Sequence, residues 1–531
     1  MEVEAEEIFK EFKQHSISEF FKKNRQMLGY SGMVRSLVTV VHEYVTNSLD
    51  ACEEAGILPD ISVGITETGE NRYSVKVSDN GPGIPKEYVG RALATILAGT
   101  KFHRYVQQRG QQGIGAAGCT LFSQITTGKP IQVKTFPRGK KRAYSCSIAL
   151  DTMNNKPIVT DYAETDEAFN GLEITGEFGG VKYEKGERGV YEYLRRTALS
   201  NPHIQMKFVG PDGEEKIFVR AVDTVPERPK PTRPHPLGLA VNDLIEFAKA
   251  SKSRKLSVFL METFSRVSQG KVEELRKIAK EVDLEKPPDK ITWEDSERLI
   301  KAFKEVRWIS PDPTSMVTIG EDQIGVALKN ILAPEFMHIT ARKPAIFRGG
   351  IPFVVEAAVA FGGYAGRKVD EGYEGNIMRF ANRVPLMFDS GSCAITEAVK
   401  GIQWKRYGVD MDSQPITVFV NVSSVHIPYS GVGKESISPE EEIVNEIKLA
   451  VMESARGVQR YVSGKKMANS ETSRYKMVMG YANQLASDLS TLTKVDREKI
   501  KGMLEVLVSK HYPKAKGSRE EEVGEAKEEE G

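Results

Sequence analysis

The chain has few cysteines, no long apolar run and almost no net charge. Its 531 residues include only four cysteines, and none are spaced as metal-binding pairs. That low density makes a disulfide framework implausible and fits a reducing compartment. No apolar run reaches the about 18 residues typical of a membrane span, and the acidic start MEVEAEEIFKEF is unlike a secretory signal. We therefore expect a cytoplasmic protein that does not enter a membrane.

The charge balance excludes a uniformly basic or acidic chain. The sequence has 74 basic and 73 acidic residues, for a formal net charge of +1. Any contact with nucleic acid must therefore come from a local cluster of charge. A hydrophobic content of 40% over this length is ample for several domains with cores of their own.

The first part of the chain predicts helices packed on a sheet. Residues 33–56 read as a helix that Gly56 closes, and alternating runs at 61–65 and 73–77 predict two antiparallel strands. A helix is predicted at about 86–98, and further strands across 128–180. This order suggests an α+β sandwich, with helices on one face of a mixed sheet.

A proline-rich segment then divides the chain. Residues 225–236, VPERPKPTRPHP, hold five prolines and predict a linker, and 237–310 reads as a helical module. Strand patterns return at 316–320, 352–361, 383–388 and 415–424. A long helix is predicted next, with Ser438 as its N-cap and Pro439 at its first position. The charged residues from about 513 predict a disordered tail.

The stretch HEYVTNSLDA places three polar side chains on one face of the first helix. Glu43, Asn47 and Asp50 stand at positions i, i+4 and i+7. A glutamate can orient or deprotonate a water. An asparagine offers the uncharged oxygen that suits Mg²⁺ when waters and phosphates supply the other ligands. The wet face of an ordinary amphipathic helix has the same pattern, so this stretch alone leaves both interpretations open.

Three glycine-containing segments have the features of a nucleotide site. In DNGPGIP, Asp79 can accept a hydrogen bond from an exocyclic amine such as that of adenine, and Gly83 allows the base to approach the backbone. In GQQGIGAA, residues 110–117, small residues leave backbone N–H groups for phosphate oxygens at a helix start. In GVGK, Lys434 stands on a glycine-hinged loop and can reach a terminal phosphate. Taken singly, these segments also fit a turn, a surface loop and a solvated lysine.

The order of these segments resembles the GHKL ATPases. EYVTNSLDA, SDNGPGIP, GTKFHRYVQQRGQQGIGAAG and the strand LEITGEF follow one another as in that superfamily. The segments SQITTGKP, RGGIPFVVEAAVAFGG, RFANRVPLMFDSG and QWKRYG narrow the resemblance to the B subunits of DNA topoisomerase VI. The resemblance spans about residues 15–470.

The resemblance implies a multidomain α+β fold. Residues 1–228 would form an N-terminal strap and the GHKL ATP-binding α/β sandwich. Residues 229–310 would form a helix–two-turns–helix module, and 311–475 a transducer domain with a left-handed βαβ crossover. Residues 476–531 would form a C-terminal helical segment and the charged tail.

The resemblance also implies roles for individual residues. Glu43 would be the general base, Asn47 the Mg²⁺ ligand, and Lys434 the switch lysine that touches the γ-phosphate of ATP. The adenine would be held by Asp79, Gly83 and Thr175. The lid around the phosphates would comprise Thr100, Lys101, Gly110, Gln111, Gln112, Gly113, Ile114, Gly115, Ala116 and Ala117.

The implied function is that of an ATP-operated clamp. Two B subunits would dimerise when ATP and Mg²⁺ bind, capture a double-stranded DNA segment and drive it through a break, which relaxes supercoils and decatenates DNA. The chain has no recognisable cleavage site, so the break is expected on an A subunit in an A₂B₂ assembly. A GHKL ATPase of the chaperone or mismatch-repair clamp type is the alternative.

Two basic clusters are candidates for contact with DNA. Lys252, Arg254 and Lys255 lie in the helical module, where cations can neutralise phosphates. The run Trp404-Lys405-Arg406-Tyr407 interleaves cations and aromatic rings. A solvated face in the first case, and packing against the transducer sheet in the second, are interpretations that the residues leave open.

Overall fold

The computed structural model describes residues 19, 21, 23–26, 28–99, 106–110, 113–165, 170–309, 316–370, 372–431 and 433–511. The tail predicted from about residue 513 lies outside these ranges, as does most of the expected N-terminal strap segment. Within them, the α-helices are α1 Met33–Ala55, α2 Lys86–Leu93, α3 Gly115–Thr127, α4 Val190–Ser200, α5 Val241–Ala250, α6 Leu256–Thr263, α7 Gln269–Ile278, α8 Trp293–Glu305, α9 Glu321–Leu332, α10 Ala394–Lys400, α11 Glu441–Thr493 and α12 Arg497–His511.

The strands of the described residues form a large first sheet, a second sheet and one small hairpin. The first sheet contains β1 Asp60–Gly69, β2 Arg72–Asp79, β3 Ile131–Phe136, β4 Ala143–Asp151, β5 Lys156–Thr165, β6 Gly171–Gly179, β7 Gln205–Val209 and β8 Glu215–Phe218. The second contains β9 Phe336–Ala341, β10 Ala345–Phe347, β11 Ile351–Phe361, β14 Asn376–Ala381, β15 Val384–Pro385 and β16 Ile416–Ser424. The hairpin, which lies between β11 and β14 in the chain, is β12 Arg367–Val369 with β13 Gly372–Glu374.

The predicted first helix is present as α1 because one stripe of it is apolar. Leu37, Val41 and Tyr44 are buried against the first sheet. Gly56 ends the helix in the left-handed conformation, with φ 69°, and its N–H bonds to the carbonyls of the last turn. The prediction of a helix over 33–56 closed by Gly56 is confirmed.

The first sheet is mixed and has the strand order β5-β4-β3-β6-β2-β1-β7-β8. β1 and β2 pair antiparallel, as predicted, with Val63 opposite Val77, whereas β1 and β7 run parallel. Every second residue of β2 is buried, which places one face of the strand in the core with α1 and α3. The α+β architecture with helices packed on the sheet is confirmed.

The helix predicted at about 86–98 ends earlier, at Leu93. Leu97 has a positive φ of 60°, which no α-helix tolerates, and its N–H donates to the carbonyl of Gly113 at 3.0 Å. The backbone after α2 therefore pairs with the glycine-rich segment, an interaction that helical periodicity does not reveal.

The proline-rich segment and the module after it agree with their predictions. Residues 225–235 carry no helix or strand, and α5 to α8 pack around a core of their own. The start of α8 is capped by Thr292 and Asp295, which bond reciprocally to each other's backbone N–H groups.

The second sheet has the order β10-β11-β16-β14-β15. β9 also pairs with β11, on the side opposite β16. β14 and β16 are parallel neighbours, and the chain between them passes through α10, as a βαβ crossover requires. β16 is buried at every position, because helices cover both faces of the sheet.

Three predictions in this region are wrong: two concern strands, and the third concerns the start of α11. Residues 316–320 are not a strand, because the N–H groups of Ile319 and Gly320 donate to the Glu356 carboxylate just before α9. Of 383–388, only Val384–Pro385 is a strand.

The start of α11 also differs from its prediction. It begins at Glu441 with Glu440 as N-cap, because the Ser438 N–H is drawn to the Pro428 carbonyl at 2.6 Å. From there α11 runs for 53 residues, and α12 packs on it. Among the helices of the described residues, none has the length and apolar character to cross a bilayer.

The packing of α11 on β9 depends on a glycine. A Cβ at Gly457 would lie 2.3 Å from the ring of His338, whereas a Cβ at Gly464, two turns further along, would meet nothing within 4 Å. We expect Gly457→Ala to lower the free energy of unfolding by about 1–3 kcal/mol through overpacking. Gly464→Ala should instead raise it by about 0.5–1 kcal/mol. Thermal denaturation of both variants checks this, and equal effects of the two substitutions would contradict it.

Candidate functional site

Helix α1, the end of β2 and the start of α3 meet around Glu43, and we call this junction the candidate cleft. Glu43 is half-buried on α1, and Asn47 is exposed one turn further along. A Cβ at Gly115 would lie only 1.8 Å from Glu43 Oε2, so the carboxylate lies directly against the first residue of α3. Among the residues that the structure describes, no side chain caps this helix start. The positive end of α3 therefore faces a carboxylate and the cleft, which is an anion-binding arrangement.

Asp79 ends β2 on the buried face of the first sheet. Its carboxylate accepts hydrogen bonds from Ser48 Oγ at 2.6 Å, Gly81 N at 2.9 Å and Leu172 N at 3.3 Å. Burial raises the pKa of Asp79, although these three bonds work in the opposite direction. The sequence interpretation missed Ser48, which follows Asn47 on α1 and orients the carboxylate.

Two glycines let backbone segments approach one another beside Asp79. Gly83 has φ +66°, and a Cβ there would lie 2.5 Å from the carbonyl oxygen of Phe136. Gly171 has φ +98°, and a Cβ there would lie 2.0 Å from the carbonyl oxygen of Asp79. Gly83 is thus required by strand β3 in this structure. Gly171 was not predicted as a site residue. Its position directly before the predicted strand LEITGEF was the sequence signal that could have identified it.

The prediction that Thr175 assists Asp79 is wrong. In the β2–β6 pair, Leu172 is opposite Asp79 and Thr175 is opposite Lys76. Because successive side chains of a strand alternate between faces, Thr175 projects from the face away from Asp79. The error is an odd offset of three residues, which only the register reveals.

Asp50 does not join Glu43 and Asn47 in the cleft. It is buried, and its Oδ1 accepts a hydrogen bond from Arg109 Nη1 at 2.8 Å. The helical spacing was correct, but a cationic neighbour from a distant segment recruits this carboxylate into a buried ion pair.

The predicted lid is described in part. Gly110 and Gly113–Ala117 belong to the described residues, whereas Thr100, Lys101, Gln111 and Gln112 lie outside them. Gly113 has φ +59°, Ile114 precedes the helix, and Gly115, Ala116 and Ala117 form the first turn of α3. A helix therefore starts where the glycine-rich segment ends, as the pattern predicted.

Lys434 reaches the first sheet from the loop that follows β16. Its Nζ lies 3.5 Å from the carbonyl oxygen of Arg109, the residue just before Gly110. Burial lowers the pKa of His42. The negative charge of Glu43 raises this pKa, whereas the positive charge of Lys434 lowers it. The loop of Lys434 therefore lies near α1, the helix that carries Glu43, because a Cβ at Gly433 would come within 3.6 Å of Arg35.

A second contact joins α1 to residues 388–389, which adjoin the Lys434 loop because Phe388 N donates to Glu435 Oε2 at 3.3 Å. Arg35 on α1 makes a two-pronged ion pair with Asp389, at 2.8 and 3.1 Å, and lies over the ring of Phe388. A Cβ on Gly433 would lie 3.6 Å from the backbone of Gly29 and from the Arg35 guanidinium. The loop is therefore placed by charge pairing as well as by its glycines.

The candidate DNA-contacting residues divide into buried and exposed groups. Trp404 is buried, and its Nε1 donates to the Val399 carbonyl at 3.1 Å, so its predicted contact with DNA is wrong. Tyr407 also packs partly on this core, whereas Lys405 and Arg406 are exposed. In the helical module, Lys252 and Arg254 are exposed, and Lys255 pairs with Glu285 at 2.8 Å.

The described residues contain no cluster of three or more His, Cys, Asp or Glu side chains arranged to hold a metal ion. The side chain suited to a cation in this cleft is the exposed amide of Asn47. A single neutral oxygen fits Mg²⁺ only when phosphates and waters complete its coordination.

The fold and this cleft define a class of protein. Residues 32–151 match the family model described as histidine kinase-, DNA gyrase B- and HSP90-like ATPase, and residues 311–474 match that of the topoisomerase VI B subunit transducer. The protein is therefore a nucleotide-binding protein of the GHKL ATPase class with a transducer region.

Its relatives narrow the class to one family. The chain is 42% identical over 508 residues to the B subunit of type 2 DNA topoisomerase 6 from Methanothermobacter thermautotrophicus, covering 95% of this chain and 97% of that protein. It is 43% identical over 545 residues to the B subunit from Pyrococcus horikoshii, covering 94% and 95%. The chain belongs to the family of type 2 DNA topoisomerase 6 B subunits.

Among solved structures, the chain is similar to the ATPase region of Saccharomyces cerevisiae topoisomerase II. The identity is 12% and the TM-score 0.40, with 86% of this chain and 99% of that chain covered. The relatives and the transducer match favour a topoisomerase ATPase subunit over a chaperone or a mismatch-repair clamp.

Gly115 offers a test of the Glu43 position. We expect Gly115→Ala to push the Glu43 carboxylate away from the start of α3. ATP hydrolysis should then fall by up to roughly 100-fold, because a misplacement of about 1 Å is enough for such a loss. The melting temperature should stay near that of the parent, since the flexible end of Glu43 can move. Steady-state ATPase assays and thermal denaturation measure the two effects.

Gly118→Ala on the same helix is the matched control. The nearest atom to its Cβ would be Tyr30 Oη at 3.4 Å, an ordinary contact. Equal ATPase losses in the two variants would show that the helix, rather than the carboxylate, is what the substitution disturbs.

Proposed function

We propose that the chain is an ATP-operated clamp subunit whose hydrolytic centre lies between Glu43 and Lys434. The observation that carries the proposal is that three features lie on α1 or at the segment that leads into α3. They are the Glu43 carboxylate, the uncapped start of α3, and a lysine that arrives from the second sheet. A triphosphate in this cleft has a general base on one side and two sources of positive potential on the other.

Each step of hydrolysis then has a residue to perform it. Glu43 accepts a proton from the water that attacks the γ-phosphorus, and the bond from that phosphorus to the oxygen of the leaving ADP breaks. The start of α3 and the Lys434 ammonium stabilise the negative charge that develops on the γ-phosphate oxygens. Asn47 would hold Mg²⁺, which would supply positive charge to neutralise the phosphates. Asp79 would accept a hydrogen bond from the adenine amine, beside Gly83.

The lid completes the proposed nucleotide site. Its members are Thr100, Lys101, Gly110, Gln111, Gln112, Gly113, Ile114, Gly115, Ala116 and Ala117. Their N–H groups and the Lys101 charge would enclose the phosphates. The position of Gly113 to Ala117 at the start of α3 supports this part of the proposal.

The clamp motion follows from where the nucleotide binds. ATP held by the first sheet and touched by Lys434 ties the two sheets together, and hydrolysis removes the tie. We propose the division of the chain that goes with this motion. It comprises the ATPase domain with its strap at 1–228, the helical module at 229–310, the transducer at 311–475 and the C-terminal segment at 476–531. ATP would also bring two copies together as a homodimer.

The names of the relatives identify them as subunits of a DNA topoisomerase. We extend to this chain an A subunit as partner, an A₂B₂ assembly and double-stranded DNA as substrate. Passage of one duplex through a break made by the A subunit would relax supercoils. The four cysteines are all buried free thiols, which suits the cytoplasmic location that we propose.

The end of α11 and α12 is the proposed surface for the A subunit. Large apolar side chains are exposed close together there, and an exposed apolar patch of this kind marks a surface for protein–protein contact. They are Met467, Met477, Tyr481, Leu485, Leu492, Val495, Met503, Val506 and Leu507.

Glu43→Ala tests the hydrolytic role directly. We expect this variant to bind ATP but to lose about 3–4 kcal/mol of transition-state stabilisation, which abolishes measurable turnover. Assays combine the full-length chain, an A subunit, supercoiled DNA and ATP, with nucleotide binding measured separately. Glu54→Ala, which removes an exposed carboxylate from the same helix, is the control and should behave as the parent. Turnover by Glu43→Ala near the parental rate would refute the assignment of the base.

Lys405→Ala tests the proposed contact with DNA. If the exposed Lys405 neutralises one phosphate, the slope of log K against log salt concentration should fall by about 0.9. Lys368→Ala, at another exposed lysine of the same region, is the control and should leave the slope unchanged. Fluorescence titration of duplex DNA at several salt concentrations gives both slopes. A Lys405→Ala slope equal to that of the parent would remove this loop from the DNA path.

A further inference from the structure

The three residues that directly precede Gly110 of the lid are each bound to the second-sheet part of the chain. Gln107 exchanges two hydrogen bonds with the backbone of Val317, at 2.7 and 2.8 Å. The carbonyl of Gln108 accepts from Asn382 Nδ2 at 3.0 Å, and the carbonyl of Arg109 accepts from Lys434 Nζ. Residues 107–109 are therefore a joint between the lid and the second sheet.

The side chain of Arg109 anchors this joint in the first-sheet part. Its buried guanidinium donates to both oxygens of Glu53, at 2.7 and 2.9 Å, to Asp50 at 2.8 Å and to Asn201 Oδ1 at 2.7 Å. Two of these acceptors are on α1, the helix that carries Glu43, and Asn201 follows α4 directly. One residue thus connects the catalytic helix, α4 and the lid.

The network continues across the boundary between the sheets. Glu53 Oε1 also accepts a hydrogen bond from His203 Nε2 at 2.8 Å. Arg383 Nη1 lies 3.7 Å from the same oxygen. Burial would raise the pKa of Glu53, but Arg109, His203 and Arg383 together hold it well below its usual range. The carbonyl of Arg383 accepts from Asn201, and its N–H donates to Asn421 on β16.

The charges of this network balance only as a set. Two buried arginines face two buried or half-buried carboxylates, and burial lowers the pKa of His203, which favours its neutral form. Removal of one member would leave another charge buried without its partner, which is costly in a low dielectric. The network adjoins a cavity of about 370 Å³ that the exposed Arg228 also lines.

We propose that Arg109 is a positioning residue for the switch lysine. Its guanidinium, locked to Asp50 and Glu53, fixes the carbonyl that receives Lys434, and so sets the coupling between the lid and the second sheet. The inference rests on the proposed role of Lys434. It adds a residue that touches no part of the nucleotide and acts through the backbone.

The test is a double-substitution cycle in the full-length chain with its A subunit. Arg109→Lys keeps the charge but loses the planar fork that binds two carboxylates at once. We expect ATP to bind with nearly the parental Kd while kcat falls roughly 10- to 100-fold. Dimerisation induced by a non-hydrolysable ATP analogue should weaken in parallel. Arg228→Lys, beside the same cavity, is the matched control and should behave as the parent.

The cycle separates positioning from a merely structural role. If Arg109 acts through Lys434, then Arg109→Lys combined with Lys434→Ala should turn over ATP no more slowly than Lys434→Ala alone. The inference would be overturned if the double variant showed the product of the two single losses in kcat. A parental kcat in Arg109→Lys alone would also overturn it. If Arg109→Lys does not fold, the milder Asp50→Asn takes its place in the same cycle.

The proposed function fails by different results. A parental chain that hydrolyses no ATP, or a Lys434→Ala variant that matches the parent in both assays, would remove the switch lysine itself. Neither result depends on Arg109.

Discussion

Several contacts join the two sheet regions, and the one between the ammonium of Lys434 and the carbonyl of Arg109 does so at the proposed nucleotide site. A long, flexible side chain cannot be held at such a point by its own stiffness. Its loop must be placed from both ends, and on one side the ion pair of Arg35 with Asp389 holds the segment that Glu435 of this loop contacts. On the other side, the acceptor is fixed because the guanidinium of Arg109 is buried among carboxylates.

The proposed nucleotide site is built by close approach as much as by charge. Glu43 lies against the start of α3 only because residue 115 has no side chain, and Asp79 contacts the start of β6 only because residue 171 has none. These glycines therefore do more than give a loop freedom of movement. They allow a carboxylate and a helix end, or two backbone segments, to come within distances that any Cβ would prevent.

Helical periodicity and strand register had different reliability in this chain. The i, i+4 spacing correctly placed Glu43 and Asn47 on the open side of α1, because a helix is set by local hydrogen bonds. The assignment of Thr175 failed because the face of a strand residue depends on the register with its neighbour. The assignment of Trp404 to DNA failed because an aromatic ring beside cations also packs well into a core, which its burial shows.

The sequence by itself determined the family, the order of helices and strands, and the local chemistry of the motifs. Those depend on short-range spacing and on residue types that appear in the chain. Only the tertiary structure decided that Asp50 belongs to a buried network, that Gly171 and Ser48 shape the Asp79 site, and that Arg109 receives Lys434. Such contacts join residues that are up to 325 positions apart, and no local pattern encodes which distant partner a buried charge will meet.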